Sequence, residues 1–228
     1  MDIMFFDESA QSEYMDDLNN SEGFYVTPSR DGSVFLGGIR HVGEYSGDHY
    51  RTAECAAKFA VEEHNKKEVE KRSLKFLRIV NLNVEPAAGA IYYITMAAAD
   101  VSGEISHYQA KVWKKINTGY QVQIFRLAPY WLKSSDKLAR KFCCIGIDNM
   151  MPWMNESYIY YKCFYRIRKE LLGVNVFHND QRGSTGVLWF RTYTEADNIL
   201  KNYIGKRMPY TNEFYDFELK TCSSIGNI

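Results

Sequence analysis

The chain has 228 residues, of which 46% are apolar and 15% aromatic, and its formal net charge is zero. This length and composition suit one large domain or two small ones with packed cores, and exclude a low-complexity chain. No apolar run approaches the length of a membrane span, and the five cysteines, which lack CxxC spacing, are expected to be reduced thiols.

Charge is distributed unevenly along the chain. Residues 1–22 contain seven acidic residues and no Lys or Arg, so the remainder carries 28 basic and 21 acidic residues. An acidic head on a mildly basic body predicts a solvated, flexible tail over residues 1–22. The apolar patch Ile3–Phe6 is short and flanked by acids, unlike a secretory signal, so we expect a cytoplasmic or nuclear protein.

The longest helical pattern runs over Asp48–Lys67. Small and apolar residues recur there at helical spacing and define one face, which consists of Ala53, Ala56, Ala57, Ala60, Val61 and His64. Charged residues fill much of the remaining surface. Small residues on the buried face allow a sheet to wrap closely around the helix.

Four strand patterns follow this helix, joined by short connections that contain Gly or Pro. They cover Leu74–Val84, Ala90–Ala98, Ile105–Lys115 and Tyr120–Leu127. Val34–Leu36, in the glycine-rich segment before the helix, is a further candidate for a short strand. One helix followed by a meander predicts an α+β domain over residues 23–129, in which an antiparallel sheet wraps on the helix.

A second pattern begins after a predicted linker at residues 130–137. Strand and helix signals alternate there over Lys141–Asn149, Asn155–Leu171, Leu172–Phe177, Gly186–Arg191, Thr194–Ile204 and Phe214–Lys220. The second helix opens Thr194-Glu195-Ala196-Asp197, which is similar to a capping box. The order β-α-β-β-α-β predicts a ferredoxin-like domain over residues 138–221.

Five ordered segments of the first domain carry a family resemblance. They are Gly37–Ile39, the helical string AKFAVEEHNKK at Ala57–Lys67, Leu74–Val80, Ala88–Thr95 and Tyr108–Trp113. Together these segments make residues 37–127 resemble the plant cystatins (phytocystatins), the inhibitors of papain-like cysteine proteases. The resemblance implies a cystatin-like fold and a wedge of three elements that enters a protease cleft.

The implied wedge consists of an N-terminal glycine segment and two hairpin loops. Its candidate protease-binding residues are Gly37, Gly38, Glu85, Pro86, Ala87, Ala88, Gly89, Ile116 and Asn117. The family's first loop reads Gln-x-Val-x-Gly, of which Gly89 alone is kept here. The family's second loop holds Pro-Trp, where this chain has Ile116 and Asn117, so the aromatic anchor is lost.

The second domain resembles an RNA recognition motif (RRM). Ile145–Met150 matches the family's first-strand motif, and Arg182–Phe190 matches its third-strand motif with one extra residue. The family stacks bases on aromatic residues of both strands. The candidate RNA-binding residues are Arg182, Thr185, Val187, Trp189 and Arg191. Trp189 is either an exposed stacking ring or a ring packed at a contact between the two domains.

The sequence contains no HExxH, GxGxxG, P-loop or GxSxG motif, and its five histidines are scattered, so we expect no enzymatic activity, metal or cofactor. The first hypothesis is a cystatin-like protein-binding module that is a weak or vestigial inhibitor of papain-like cysteine proteases. The alternative is an RNA-binding or ribonucleoprotein-associated adaptor that binds single-stranded RNA through residues 138–221. A third possibility is that both domains now serve protein–protein contacts alone.

Overall fold

The structure is a computed structural model that describes residues 8–28, 37–43, 47–67, 73–132, 143–179, 183–209, 211 and 214–220. The chain divides into two compact units, Met1–Ala128 and Pro129–Ile228. Each unit is built on an antiparallel sheet accompanied by helices, which confirms the α+β fold class. The candidate strand Val34–Leu36 lies outside the described residues.

In the first unit, one long helix lies against a five-stranded sheet whose strands are arranged in chain order. The elements are β1 (Arg40–His41), α2 (Asp48–Lys67), β2 (Lys75–Ala87), β3 (Gly89–Ala99), β4 (Ile105–Lys115) and β5 (Gly119–Leu127). The predicted helix and the four predicted strands are confirmed. Strand β1 was not predicted, because two residues are too few to show an alternating pattern.

Helix α2 packs its small-residue face against the sheet. Ala53, Ala56, Ala57 and Ala60 are fully buried there. They share one core cluster with apolar residues of the sheet, which include Leu82, Val84, Ile94, Met96, Ala110 and Val112. Alanine side chains let the helix backbone approach the strands closely, and each buried alanine loses no rotamer freedom.

Residues 8–21 form a helix, α1 (Glu8–Ser21), where the acidic composition predicts a flexible tail. The Asp17 carboxylate is 3% exposed and accepts hydrogen bonds from the Thr27 backbone N–H, at 2.8 Å, and from the Thr27 hydroxyl, at 2.6 Å. The Ser21 hydroxyl donates to the Asp17 carbonyl oxygen at 2.7 Å. These tertiary partners, which a count of charges does not detect, hold the end of the helix.

The segment after α1 crosses the sheet face that is opposite α2. Asn81 and Asn83 alternate along β2 with residues of the α2 core cluster, so their side chains point to that second face. Their amide nitrogens donate to the carbonyl oxygens of Phe24 and Gly23, both at 2.8 Å. Phe24 is fully buried and meets the Tyr93 ring edge-on at a centroid distance of 5.7 Å. Both faces of this sheet are therefore covered.

Burial of His107 on β4 makes the stability of the first unit depend on pH. Desolvation, with a smaller contribution from Arg78, lowers the pKa of this imidazole from 6.5 to about 3. Below pH 6.5 the unfolded chain binds a proton that the folded chain excludes. Stability is therefore complete above pH 6.5 and falls as the pH drops toward 3, by about 1.4 kcal/mol per pH unit.

We expect the free energy of unfolding of the first unit to fall by about 2 kcal/mol between pH 7 and pH 5 through His107. His107→Gln should remove that part of the pH dependence, because glutamine does not titrate. Urea unfolding of both proteins at the two pH values measures the difference, and the absolute stability of the variant does not enter it. An equal pH dependence in both proteins would contradict the assignment to His107.

The second unit has a four-stranded antiparallel sheet in the order β7-β8-β6-β9. Its elements are β6 (Cys143–Met150), α3 (Glu156–Tyr158), β7 (Gly173–Asn179), β8 (Gly183–Phe190), α4 (Tyr193–Tyr203) and β9 (Asp216–Lys220). The first and third strands of the unit lie at the centre, as the ferredoxin-like prediction requires. That part of the fold class is confirmed.

Three details of the second unit differ from the prediction. The predicted helix Asn155–Leu171 is α-helical only over Glu156–Tyr158, and it continues as a π-helical turn, Ile159–Cys163, and a 3₁₀ turn. The wider π turn accompanies the burial of successive bulky residues, Tyr160 and Tyr161 among them. The capping box of α4 is formed by Thr192 and Glu195, two residues before the predicted Thr194.

The third difference concerns the predicted linker. Tyr130 is fully buried, and its carbonyl oxygen accepts the Val174 N–H at 2.9 Å, which adds Tyr130 to the β7 side of the sheet. Leu132 belongs to a buried apolar cluster of the same unit. Residues 130–132 therefore pack as part of the second unit. Within the described residues, no helix is both long and apolar enough to span a membrane.

Candidate functional site

The first hairpin of the meander ends in a tight turn at the candidate first loop. The β2–β3 ladder runs to the pair Ala87 and Gly89, which leaves Ala88 at the tip. Gly89 has a φ of +103°, a conformation that favours glycine, and a Cβ atom there would collide with the carbonyl oxygen of Lys114. Residues 86–89 are all exposed.

The second hairpin turn lies beside the first. Lys115 pairs with Gly89 on one side and with Gly119 on the other, so the turn at 116–118 follows directly from the strand that flanks Gly89. The indole N–H of Trp113 donates to the Ala88 carbonyl oxygen at 3.1 Å and connects the two turns. Ile116 is 73% exposed. Trp113 therefore contacts the tip of the first loop, a role that the sequence pattern did not reveal.

The glycine segment reaches the same end of the sheet along β2. Arg40 pairs with Val84 and His41 with Asn83, so continuing this antiparallel register brings Gly38 level with Pro86. The Ile39 N–H donates to the Tyr14 hydroxyl of α1 at 2.7 Å, which fixes the approach of the segment. We call Gly37–Gly38, Pro86–Gly89 and Ile116–Asn117 together the wedge edge.

Glu85 lies next to the wedge edge, and its carboxylate accepts a hydrogen bond within the sheet. The Tyr93 hydroxyl donates to that carboxylate at 2.6 Å, and Glu85 is half-buried. Burial raises the pKa of the Tyr93 hydroxyl above its ordinary value, and the neighbouring Glu85 raises it further. Glu85 thus anchors the side of the hairpin, and its charge is not left bare at the tip. Sequence pattern alone misses this pair, because Glu85 faces Ile91 in the ladder and reaches Tyr93 diagonally.

A cavity of about 350 Å³ lies directly behind the wedge edge. It is lined by the start of α2, the start of β3 and the end of β4, with Asp48, His49, Thr52, Gly89, Ala90, Tyr92, Lys114, Lys115 and Ile116. Asp48 forms an ion pair with Arg51 at 2.6 Å, which lowers the pKa of the Asp48 carboxyl. Lys114 and Arg40 are exposed nearby, so this end of the sheet suits a partner with acidic groups.

The RNA-binding candidates of the second unit are not arranged as an open platform. Val187 is fully buried and Trp189 is 4% exposed, and both belong to one cluster with Leu132 and Cys144. The Trp189 indole N–H donates to the Asn175 side-chain oxygen at 2.9 Å. The interpretation of Trp189 as an exposed stacking ring is therefore wrong, because Leu132 packs in the same cluster. The ring packs inside the second unit, and the alternative, packing at a contact between the two domains, stays a prediction.

The remaining RNA-binding candidates do not meet at one site. The half-buried Thr185 donates its hydroxyl to Asp148 at 3.2 Å. Arg191 is exposed at the end of β8, and its backbone N–H donates to Glu195 of the capping box at 3.0 Å. Arg182 lies outside the described residues. Within the described residues, no group of three or more His, Cys, Asp or Glu side chains is placed to hold a metal ion.

Comparisons with known proteins agree with the geometry of the first unit. A family model described as "Aspartic acid proteinase inhibitor" matches residues 49–126. Cysteine proteinase inhibitor A of Helianthus annuus is 46% identical over 59 residues, which cover 26% of this chain and 68% of that protein. The chain belongs to the plant cystatin family. The multicystatin of Solanum tuberosum is 34% identical over 100 residues, or 44% of this chain, but the chain spans only 12% of that protein.

The second comparison of interest is with an RNA-associated protein. Polyadenylate-binding protein RBP47 of Nicotiana plumbaginifolia is 33% identical over 72 residues, which cover 30% of this chain and 16% of that protein. This cystatin therefore also has a likeness to a protein outside the inhibitor family. The RRM resemblance and the ferredoxin-like sheet order are consistent with that likeness.

Proposed function

We propose that the cystatin unit is a protein-binding module that retains weak inhibition of papain-like cysteine proteases through the wedge edge. The observation that supports this best is the placement of the three segments at one end of the sheet. The turns at 86–89 and 116–119 are exposed along their whole length, so a cleft has access to them. We expect the hairpins to act as the family's wedge although the side chains of the family motifs have changed.

The expected weakness follows from those side chains. Asn117 stands where the family has its tryptophan anchor, and truncation of one such anchor typically costs about 2 kcal/mol or more, roughly thirtyfold in affinity. Ala87 buries less apolar area than the family's valine. Ile116, exposed at the second turn, retains an apolar side chain that a protease surface can bury.

A papain assay with a matched pair of variants tests this proposal. Ile116 at the wedge edge is 73% exposed, and Val101 at the opposite end of the sheet is 76% exposed. We expect the full chain to inhibit papain at micromolar concentration. Ile116→Asp should weaken inhibition at least tenfold by placing a charge in the contact, whereas Val101→Asp should leave it unchanged.

The contrary outcomes are distinct. An absence of inhibition at high micromolar protein would remove the proposal, and equal effects of the two variants would move the contact away from the wedge edge. An aspartic proteinase is assayed in parallel, because the matching family model carries that description. If the chain inhibited the aspartic proteinase and not papain, the proposed class of protease would change, but the wedge edge would remain the proposed contact surface.

The second candidate function is an RNA-binding or ribonucleoprotein-associated adaptor acting through the second unit. It is favoured by the likeness to RBP47 and by the excess of basic residues over residues 136–221, which hold 13 basic and 10 acidic residues. Burial of Trp189 counts against the sheet face as its site. Failure of the chain to bind single-stranded RNA at any salt concentration would leave protein–protein contacts as the remaining role.

A further inference from the structure

A surface of the second unit interleaves positive charges with aromatic rings. It is formed by the 3₁₀ turn Tyr165–Ile167, the end of α4 and the short bridge that precedes β9. We call it the aromatic–basic surface, and it consists of Tyr165, Arg166, Tyr203, Lys206, Arg207 and Phe214. None of these residues lies on the strand β8 that carries the sheet-face candidates.

Each cation of this surface lies against a ring. The Arg166 guanidinium is 5.5 Å from the centroid of Tyr165, the Lys206 ammonium is 5.7 Å from Tyr203, and the Arg207 guanidinium is 5.4 Å from Phe214. All three cations are exposed. Three positive charges are thus presented above aromatic rings and remain open to a ligand.

Backbone and ring contacts connect the segments that carry the three pairs. The Lys206 N–H donates to the Tyr203 carbonyl oxygen at 2.9 Å, and Arg207 forms an antiparallel bridge with Phe214. Phe164, which directly precedes the 3₁₀ turn, packs on Tyr203 at a centroid distance of 4.9 Å, so the turn lies next to the end of α4 and Arg166 acts electrostatically on Tyr203. Glu170 also acts on Tyr203, and it is an acidic group that a bound anion would meet at this surface.

One of the rings, Tyr203, is fixed by the core beneath it. Tyr203 packs on the fully buried Phe164 at a centroid distance of 4.9 Å and on Tyr215 at 5.6 Å. Phe214 is 50% exposed, so part of its ring remains available. Rings held by the core can stack on a planar ligand without first losing conformational freedom, which favours binding.

We propose that the aromatic–basic surface binds single-stranded RNA. Spaced cations and ring faces are the two features with which proteins hold unpaired strands, through phosphate contacts and base stacking. The Tyr165 hydroxyl accepts the Arg166 Nε–H at 2.7 Å and keeps its own hydrogen to donate to a ribose 2′-hydroxyl, which DNA lacks. The inference does not depend on the wedge edge, and it gives the second candidate function a site away from the buried Trp189.

Fluorescence anisotropy with labelled ten-nucleotide oligo(A) and oligo(U) RNAs and the full chain tests this inference. With three phosphate contacts, the logarithm of the association constant should fall against the logarithm of salt concentration with a slope of about −2. The double variant Lys206→Glu/Arg207→Glu should lose at least tenfold in affinity and reduce that slope. Arg191→Glu reverses one charge, half the change of the double variant, at an exposed position beside the sheet face, and it should leave binding within twofold.

Stacking is tested separately at Phe214, which is half exposed. Phe214→Leu keeps apolar bulk but removes the ring, and it should weaken binding at least threefold, while Phe214→Tyr should restore it. If Arg191→Glu lost RNA binding and the double variant Lys206→Glu/Arg207→Glu kept it, the inference would be overturned. The RNA site would then lie beside the sheet face. No binding by the unmodified chain would overturn both the inference and the second candidate function. Papain inhibition is measured for every variant and should be unchanged. A failure of RNA binding is then distinguished from a failure of the wedge edge.

Discussion

With Pro and Trp restored at the second turn, by Ile116→Pro and Asn117→Trp, we expect papain inhibition to strengthen about thirtyfold. The gain arises because a tryptophan at this exposed turn can bury its ring in a protease cleft, an anchor worth about 2 kcal/mol or more. The turn is already placed for it, because Lys115 pairs with Gly89 and sets the two loops side by side. The inhibition constant from progress curves measures the change.

Adding Glu85→Gln and Ala87→Val should give a further gain, because the valine restores apolar area in the first loop. Glutamine keeps an oxygen that can accept the hydrogen bond now made by Tyr93 to Glu85. The control is Val101→Trp, which adds the same ring at the opposite end of the sheet. If Val101→Trp improved inhibition as much as Ile116→Pro/Asn117→Trp, the gain would come from nonspecific apolar contact and the wedge geometry would be refuted.

The parts of the first unit that could be predicted are those encoded in local periodicity. The buried face of α2 recurs at helical spacing, and apolar and polar residues alternate over Leu74–Val84, so both elements and the meander followed from sequence. Adjacency of the two turns also followed, because every second hairpin turn of a meander lies at the same end of the sheet.

What the sequence did not reveal depends on contacts between distant residues. The composition of helix α1 predicts a solvated acidic segment, but in the structure the Asp17 carboxylate accepts a hydrogen bond from Thr27. Trp189 reads as a ring available for stacking until Leu132, from the segment predicted as a linker, is seen to pack with it. In each case the contacting residue lies in a stretch that has no periodic pattern of its own, so the sequence predicted no regular structure there.

The aromatic–basic surface could not be predicted for a related reason. Arg166 stands far from Lys206 and Arg207 in sequence, and the pattern over residues 155–171 predicted one regular helix. The π-helical and 3₁₀ turns place Tyr165 and Arg166 next to the end of α4. Irregular backbone of this kind has no period to detect, although π turns are frequent at functional sites.

Gly89→Ala is expected to damage the first unit more than any other glycine replacement in its hairpin turns. Alanine at a φ of +103° is strained, and its Cβ would collide with the Lys114 carbonyl oxygen and approach the Ile116 nitrogen within 3.3 Å. Strain and collision together should cost about 2 kcal/mol or more, which lowers the melting temperature of this unit by roughly 8 °C. Scanning calorimetry measures the shift.

Gly119→Ala separates the two costs. Gly119 has a φ of +80°, but a Cβ atom there would meet nothing within 4 Å, so only the backbone strain remains. We expect it to cost about 1 kcal/mol, roughly half the effect of Gly89→Ala. Because the Lys114 carbonyl must move to admit the methyl group that Gly89→Ala adds, inhibition should be lost with that variant and largely kept with Gly119→Ala. Equal melting temperatures for the two variants would show that the two hairpin turns do not touch, and the wedge edge as a single surface would then be untenable.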